Sequence, residues 1–342
     1  MFLLHRTRSS LRLHTLNRAL LCLTAASLGV LAFGCPRSED AAQDASPAAS
    51  PEVSAAGTLP VVSASASASA SESASESAPQ ATASAATDRA RCPQEMVFIP
   101  ASKPYCIDRW EAVLVDKSTG NRLSPYFPPD RARATRLAGE WESKRGTMGT
   151  DAGKAIAVPA LSPWQRTTDA DPMAQSKAGE TPSGYCSGKV ARRACENAGK
   201  RLCRQEEWLH ACRGQDDRQF PYGDKHVQGK CNMFRSTHPG SILHDDITTN
   251  HLDPRMNLVR DSQGPLLHRT GETKSCVSAW GNDGVFDMVG NLDEWIDDSE
   301  GTFVGGFYSR SKKDGCSSIV KAHPFEYYDY SLGVRCCRDA DR

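Results

Sequence analysis

No stretch of this chain is apolar for long enough to cross a bilayer as a helix: the longest run, Ala19 to Phe33, is about 15 residues against the roughly 20 required. No charge of either sign dominates. With 41 basic and 41 acidic residues in 342, the electrostatic footprint of a nucleic-acid binder is missing, so no nucleic-acid partner is expected. The histidines lack zinc spacing as well. His238, His244, His251 and His268 are scattered through residues 236–270, which show little periodicity, and they read as solvated loop histidines. From Pro36 to about Arg91 aromatics and cysteines are lacking, and the chain is nearly all Ala, Ser, Glu, Asp, Pro and Thr. It cannot bury enough apolar area to offset its conformational entropy, so 36–91 is expected to be a disordered tether.

What the first residues do contain is a cluster of positive charge, from Arg6 to Arg18, ahead of the apolar run. That order is expected of a secretory signal. Leu31-Ala32-Phe33-Gly34-Cys35 resembles a bacterial lipobox, with Ala32 where Leu is usual. Residues 1–35 are therefore expected to be a signal peptide that is cleaved before a lipidated Cys35. The protein would be exported and lipid-anchored to a membrane of the bacterial envelope. Residues 92–342 change character and are long enough for one large domain. Eleven of the 13 cysteines lie there, which in an exported chain reads as a disulfide framework with at least one thiol left over.

Within that part, Met96 to Pro100 and Tyr105 to Val113 read as two strands joined by a tight turn, with Cys92 and Cys106 placed to cross-link the hairpin. Residues 117–182, rich in Pro, Gly, Asp and Arg, read as loops and insertions around short strands. A helix follows, with Val190, Ala194, Cys195 and Ala198 on one face and Gly199 as its terminator; a second runs from about Arg204 to Cys212. Gly281 to Trp295 combines turn-forming glycines with Asp287 and Glu294. It reads either as an Asx-rich surface turn or as a seat for a hard cation. Thr302 to Tyr308 reads as a strand with a glycine pair, and Leu332 to Val334 as a half-buried terminal strand.

Met96 to Pro100, Ile107 to Val113, Ala194 to Gly214, Tyr222-Gly223-Asp224, Cys231-Asn232, Phe286 to Asp297, Gly305-Gly306 and Leu332 to Cys336 occur here in one order. Taken together they resemble the formylglycine-generating enzyme family, also called sulfatase-modifying factors. The resemblance implies an α+β, compact, loop-rich fold related to C-type lectin-like domains. It implies structural calcium held by Asp287, the carbonyls of Gly290 and Leu292, and Glu294. A second calcium site would begin at Asn232 and Met233, with Asp246 and the carbonyl of Thr248 as further ligands. It also implies disulfides between Cys195 and Cys336 and between Cys212 and Cys316; Cys203 is expected to join Cys231 or Cys276.

The family's chemistry rests on two thiols that hold Cu(I), a soft ion, the first four residues after the glycine pair and the second five later. Those positions are Arg310 and Gly315 here. Cys316, one residue off, is the candidate for a single-thiol remnant and more readily a structural half-cystine. Copper oxidase chemistry is therefore not expected. The leading reading is an envelope lipoprotein whose domain is a binding module for a peptide or envelope component. The alternative is a metal-dependent oxidoreductase acting on a protein cysteine or other thiol, with loop histidines or Cys186, Cys276 and Cys337 as ligands.

Overall fold

The computed structural model describes residues 91–310 and 313–341. The expectations for the signal peptide, the lipidated Cys35 and the tether lie outside the described residues. The architecture is α+β, with many short strands, few helices and long connections. The strands are β1 (Met96–Ile99), β2 (Tyr105–Asp108), β3 (Ala112–Asp116), β4 (Pro172–Ser176), β5 (Arg201–Leu202), β6 (Arg260–Asp261) and β7 (Gly264–Pro265). They continue as β8 (Val277–Trp280), β9 (Asp283–Phe286), β10 (Asp293–Trp295), β11 (Phe303–Val304), β12 (Ile319–Val320), β13 (Leu332–Gly333) and β14 (Cys336–Asp339). The helices are α1 (Arg131–Lys144), α2 (Asp151–Ala155), α3 (Pro163–Thr167), α4 (Gly188–Asn197), α5 (Gln205–Arg213) and α6 (Pro239–Leu243).

One sheet has the order β1-β2-β14-β5, so the strand made last sits inside it, antiparallel to both neighbours. Alternation along β14 sends Cys336 to one face and Cys337 to the other. Cys336 joins Cys195 of α4 within one apolar cluster, while Cys337 joins Cys203 within another. The second sheet has the order β12-β11-β10-β13, with β10 antiparallel to β11 and parallel to β13. The glycine- and acid-rich motif therefore leads straight into a central strand. Strands β3 and β4 pair separately, as do β8 and β9.

Several local readings need correction. The single strand expected from Tyr105 to Val113 breaks after Asp108, because the Asp108 carboxylate turns inward, where it accepts from Lys200 Nζ at 2.6 Å and from the Cys336 amide at 3.2 Å. The chain then changes sheet. The region read as loops contains α1, capped by Asp130, which accepts from the Arg133 amide at 2.7 Å. Its buried residues Ala134, Leu137, Ala138 and Trp141 fall at helical spacing and make a core with Phe127 and Leu161. In α4 the buried stripe is Ala191, Ala194 and Cys195, one residue away from the expected Val190 edge; α4 ends before Gly199, which sits at φ +68°.

Five disulfides brace the domain. Cys92 joins Cys106 across the first hairpin, Cys195 joins Cys336 and Cys212 joins Cys316. The expected partner of Cys203 was wrong: Cys203 takes Cys337, and Cys231 takes Cys276. Register decides this, because Cys337 lies directly across from Arg201 and so beside Cys203. Among the described residues Cys186 alone is a free thiol. It is buried, and burial pushes its pKa up to about 12, so it is protonated at neutral pH.

Candidate functional site

The turn between β9 and β10 is held in an unusual backbone state. Asp287 and Asn291 both have left-handed φ, +58° and +59°, and Gly290 lies at φ +84°. A Cβ on Gly290 would stand 2.2 Å from the Asn232 carbonyl oxygen, so only glycine lets this turn press onto the Cys231-Asn232 loop. The two loops are then sewn together. The Asn291 amide donates to the Asn232 carbonyl at 2.9 Å, and Asn232 Nδ2 donates to Asn291 Oδ1 at 2.9 Å and to the Leu266 carbonyl at 2.8 Å.

Glu111 closes the turn from below, accepting from Asn291 Nδ2 at 2.5 Å and from the Leu292 amide at 3.0 Å. Next to it lies Glu294, which accepts from Trp208 Nε1 at 2.6 Å and from Arg335 Nε at 2.9 Å to each oxygen. Arg335 also donates to the carbonyls of Asp108 and Phe286, both at 2.8 Å. Three buried carboxyls, Glu111, Asp287 and Glu294, thus surround one buried guanidinium. Burial pushes Asp287 up to about 7, against the pull of the Gly271 N–H and Arg335. Burial, then the charges of Asp287 and Glu294, push Glu111 well above its ordinary range. Glu111, Trp208 and Arg335 had been given no part in this site. The available signal was an acid or an arginine set in otherwise apolar strand sequence, which has to find a buried counter-charge.

The expected calcium ligands meet only in part. Asp287 and Glu294 share the network, and the Asn232-Met233 loop abuts it. Yet Glu294 has both oxygens committed to Arg335 and Trp208, and Asp287 Oδ2 accepts from the Gly271 amide at 2.6 Å. Asp246 spends its carboxylate on Thr248 and Thr249 in its own loop and shares no hydrogen bond with Asn232. Among the described residues no three His, Cys, Asp or Glu side chains are arranged to hold a metal ion. As placed, Glu294 does not fit as a metal ligand.

Three of the four histidines are not solvated as expected, while His251 stays partly exposed. His244 is buried against Trp141 and Asp253, His238 bonds the Tyr330 hydroxyl at 3.0 Å, and His268 lies 3.1 Å from Arg235 Nη1 and 2.9 Å from Thr273 Oγ1. Burial depresses His238 to about 4, so it serves as a neutral hydrogen-bonding group at neutral pH. Trp141 of α1 covers His244, and Phe307 and Tyr330 cover His238.

A second feature sits where β11 ends. Gly305 and Gly306, at φ +91° and +77°, floor a small indentation of about 10 Å³, room for roughly one water, lined also by Met233, Val289, Phe307, Arg310, Gly315 and Ser318. Arg310 and Gly315, the positions matching the family's two thiols, thus meet in one pocket, while Cys316 is buried in its disulfide with Cys212. Arg310 Nη2 is paired with the buried carboxylate of Asp293, which also accepts from the Gly306 amide at 2.9 Å. Burial pushes Asp293 up to about 6 even though Arg310 pulls it down.

That shift fixes a sign. The native state holds the Asp293 proton more tightly than the unfolded chain. Its contribution to stability is complete below the ordinary aspartate value of about 4 and is lost as pH rises through about 6. Asp293→Asn is expected to remove this slope, so that wild type loses stability relative to the variant between about pH 4 and 6.5. Denaturant midpoints across that range measure it, and parallel curves would defeat it.

A disulfide-braced α+β domain of short strands, with the Asp287–Trp295 motif in its centre and a Gly-Gly pocket beside it, defines a class. The chain belongs to the family of the sulfatase-modifying factor enzyme 1-like domain, whose model matches residues 135–340. No curated protein matches the chain in sequence. Among solved structures it is similar to PvdO from Pseudomonas aeruginosa at 13% identity and TM-score 0.33, over 70% of this chain and 82% of that one. It is likewise similar to CarF at 14% identity and TM-score 0.32, over 70% and 87% of the two chains. Treponema denticola variable protein 1 is similar at 12% identity and TM-score 0.35, over 71% and 94%.

Proposed function

We propose that this protein is a binding module of the bacterial envelope, anchored through Cys35, whose sulfatase-modifying-factor domain presents the Gly306–Arg310 pocket to a peptide or envelope component. One observation carries the reading. Where the family's oxidases place two thiols for a soft metal, the pocket has a guanidinium ion-paired to Asp293 and a glycine, and the neighbouring Cys316 is consumed by Cys212. Two of the thiols considered for an oxidoreductase, Cys276 and Cys337, are also half-cystines, and Cys186 is a buried, protonated thiol. The experiment is incubation of the full chain, with Cu(I) and oxygen, with a cysteine-containing peptide. No aldehyde product is expected; stoichiometric copper together with product would overturn the reading in favour of an oxidoreductase.

Calcium at the Asp287 turn belongs to the same proposal. The excess of buried carboxyls over Arg335 supports it, and the commitment of Glu294 opposes it. A cation on Asp287 and the turn carbonyls, present at about 100 times its Kd, would add roughly 2.7 kcal/mol. Removing it with EDTA is then expected to lower Tm by about 5–10 °C. An identical Tm in excess calcium and in EDTA would remove the ion from the account.

A further inference from the structure

The cysteines of the two central helices all bypass their nearest neighbours. Cys186, Cys195, Cys203 and Cys212 follow one another at spacings of 9, 8 and 9 residues. None pairs with another of the four. Cys195 takes Cys336 at a separation of 141, Cys203 takes Cys337 at 134 and Cys212 takes Cys316 at 104, while Cys186 stays a thiol. In an unfolded chain the chance of closing a loop falls as about the three-halves power of its length. The wrong bonds Cys195–Cys203 and Cys203–Cys212 are therefore favoured over the native ones by roughly 40- to 75-fold.

Loop length gives no help at the far end either. Cys336 and Cys337 are adjacent, so exchanging the partners of Cys195 and Cys203 alters each loop by a single residue and leaves chain entropy unchanged. Only the folded sheet, where Cys336 lies opposite Leu202 and Cys337 opposite Arg201, tells the two apart. Once that sheet exists, repair is over. Nine of the ten bonded cysteines are then buried, and the Cys186 thiol, pushed up to about 12 by burial, offers almost no thiolate to restart exchange. Mispaired chains have to be corrected earlier, while their sulfurs are open to an outside thiolate.

We propose that this protein is a client of a thiol–disulfide isomerase, a partner that presents a reactive thiolate to the unfolded, mispaired chain. A disulfide-donating oxidase of an oxidising compartment makes the first bonds. The isomerase thiolate attacks Cys203 of a Cys195–Cys203 bond, forming a mixed disulfide and releasing the Cys195 thiolate. The Cys337 thiolate then attacks Cys203 in that mixed disulfide; Cys203–Cys337 forms and the isomerase thiolate leaves. Exchange conserves electrons, so this step consumes no oxidant. Neither the lipid anchor nor a ligand enters, since cysteine order and pairing alone require the partner.

The test is oxidative refolding of the reduced full chain in three arms: diamide alone, a glutathione redox buffer, and that buffer with protein disulfide isomerase. Non-reducing peptide maps are taken from all chains, soluble and aggregated, so that loss of solubility hides no result. Diamide alone is expected to give the five native pairs in under about a tenth of the chains, with Cys195–Cys203 and Cys203–Cys212 peptides dominant. Isomerase should raise the native fraction at least fivefold over the glutathione buffer at equal times. Mostly native pairing with diamide alone would show that α4, β5 and β14 align the sulfurs before oxidation, and would overturn the proposal. An isomerase arm indistinguishable from the glutathione buffer would overturn it as well.

Discussion

Arg335→Met is expected to destabilise the domain by about 3–5 kcal/mol, enough to leave much of the protein unfolded. The guanidinium is fully buried and donates to Glu294 and to the carbonyls of Asp108 and Phe286, so its loss strands a carboxylate and two carbonyls in a dry interior. Glu111 and Asp287 already resist ionisation there, and removing the only guanidinium among them makes ionisation harder still. A replacement that also neutralises the acid separates charge from packing. The pair Arg335→Met with Glu294→Gln should recover part of the loss, because truncating one partner of a buried ion pair costs more than replacing both. Urea denaturation at neutral pH measures this. A single variant within about 1 kcal/mol of wild type would show that the guanidinium is not the counter-charge of the cluster.

The second large effect concerns the adjacent cysteines of β14. Cys195–Cys336 spans 141 residues and Cys203–Cys337 spans 134, and loops of that length give about 5 kcal/mol by chain entropy when closed alone. They do not act alone. With either bond in place, the other closes only the short segment from Glu196 to Leu202 plus one peptide, worth about 2.6 kcal/mol by the same relation. The intact Cys212–Cys316 bond shortens either long loop to roughly 30–40 residues, worth about 4 kcal/mol. Replacing one pair with serines is therefore expected to cost about 3 kcal/mol, and replacing both about 6–7, comparable to the whole stability of a domain. Denaturation of the two double variants and the quadruple variant measures it. Losses that simply add would show that the two bonds do not share a loop.

Much of this arrangement was legible from ordered short motifs, and the rest failed for identifiable reasons. The glycine pair, the Asp287–Trp295 motif and the helix cysteines identified the family and its α+β fold. Helix α1 was overlooked because its Arg and Glu content hid a regular stripe of Ala134, Leu137, Ala138 and Trp141. The partner of Cys203 could not be read along the chain, since it depends on β14 entering between β2 and β5 in one register. The same limit hid Glu111, which meets the motif from 180 residues away. His238 and His244 were misjudged because a loop of low periodicity was equated with a solvated one, whereas they are covered by Tyr330, Phe307 and Trp141.

The interior position of β14 also governs when this protein can fold. A ribosome delivers the chain in sequence order, and the strand that both β2 and β5 need as a neighbour, carrying the two half-cystines for Cys195 and Cys203, emerges well after either of them. Until then β2 and β5 have open edges, and the sulfurs of Cys195 and Cys203 have no correct partner. Assembly therefore cannot proceed in step with synthesis. It has to wait for β14 and then close long-range contacts together, a slow, topology-limited event.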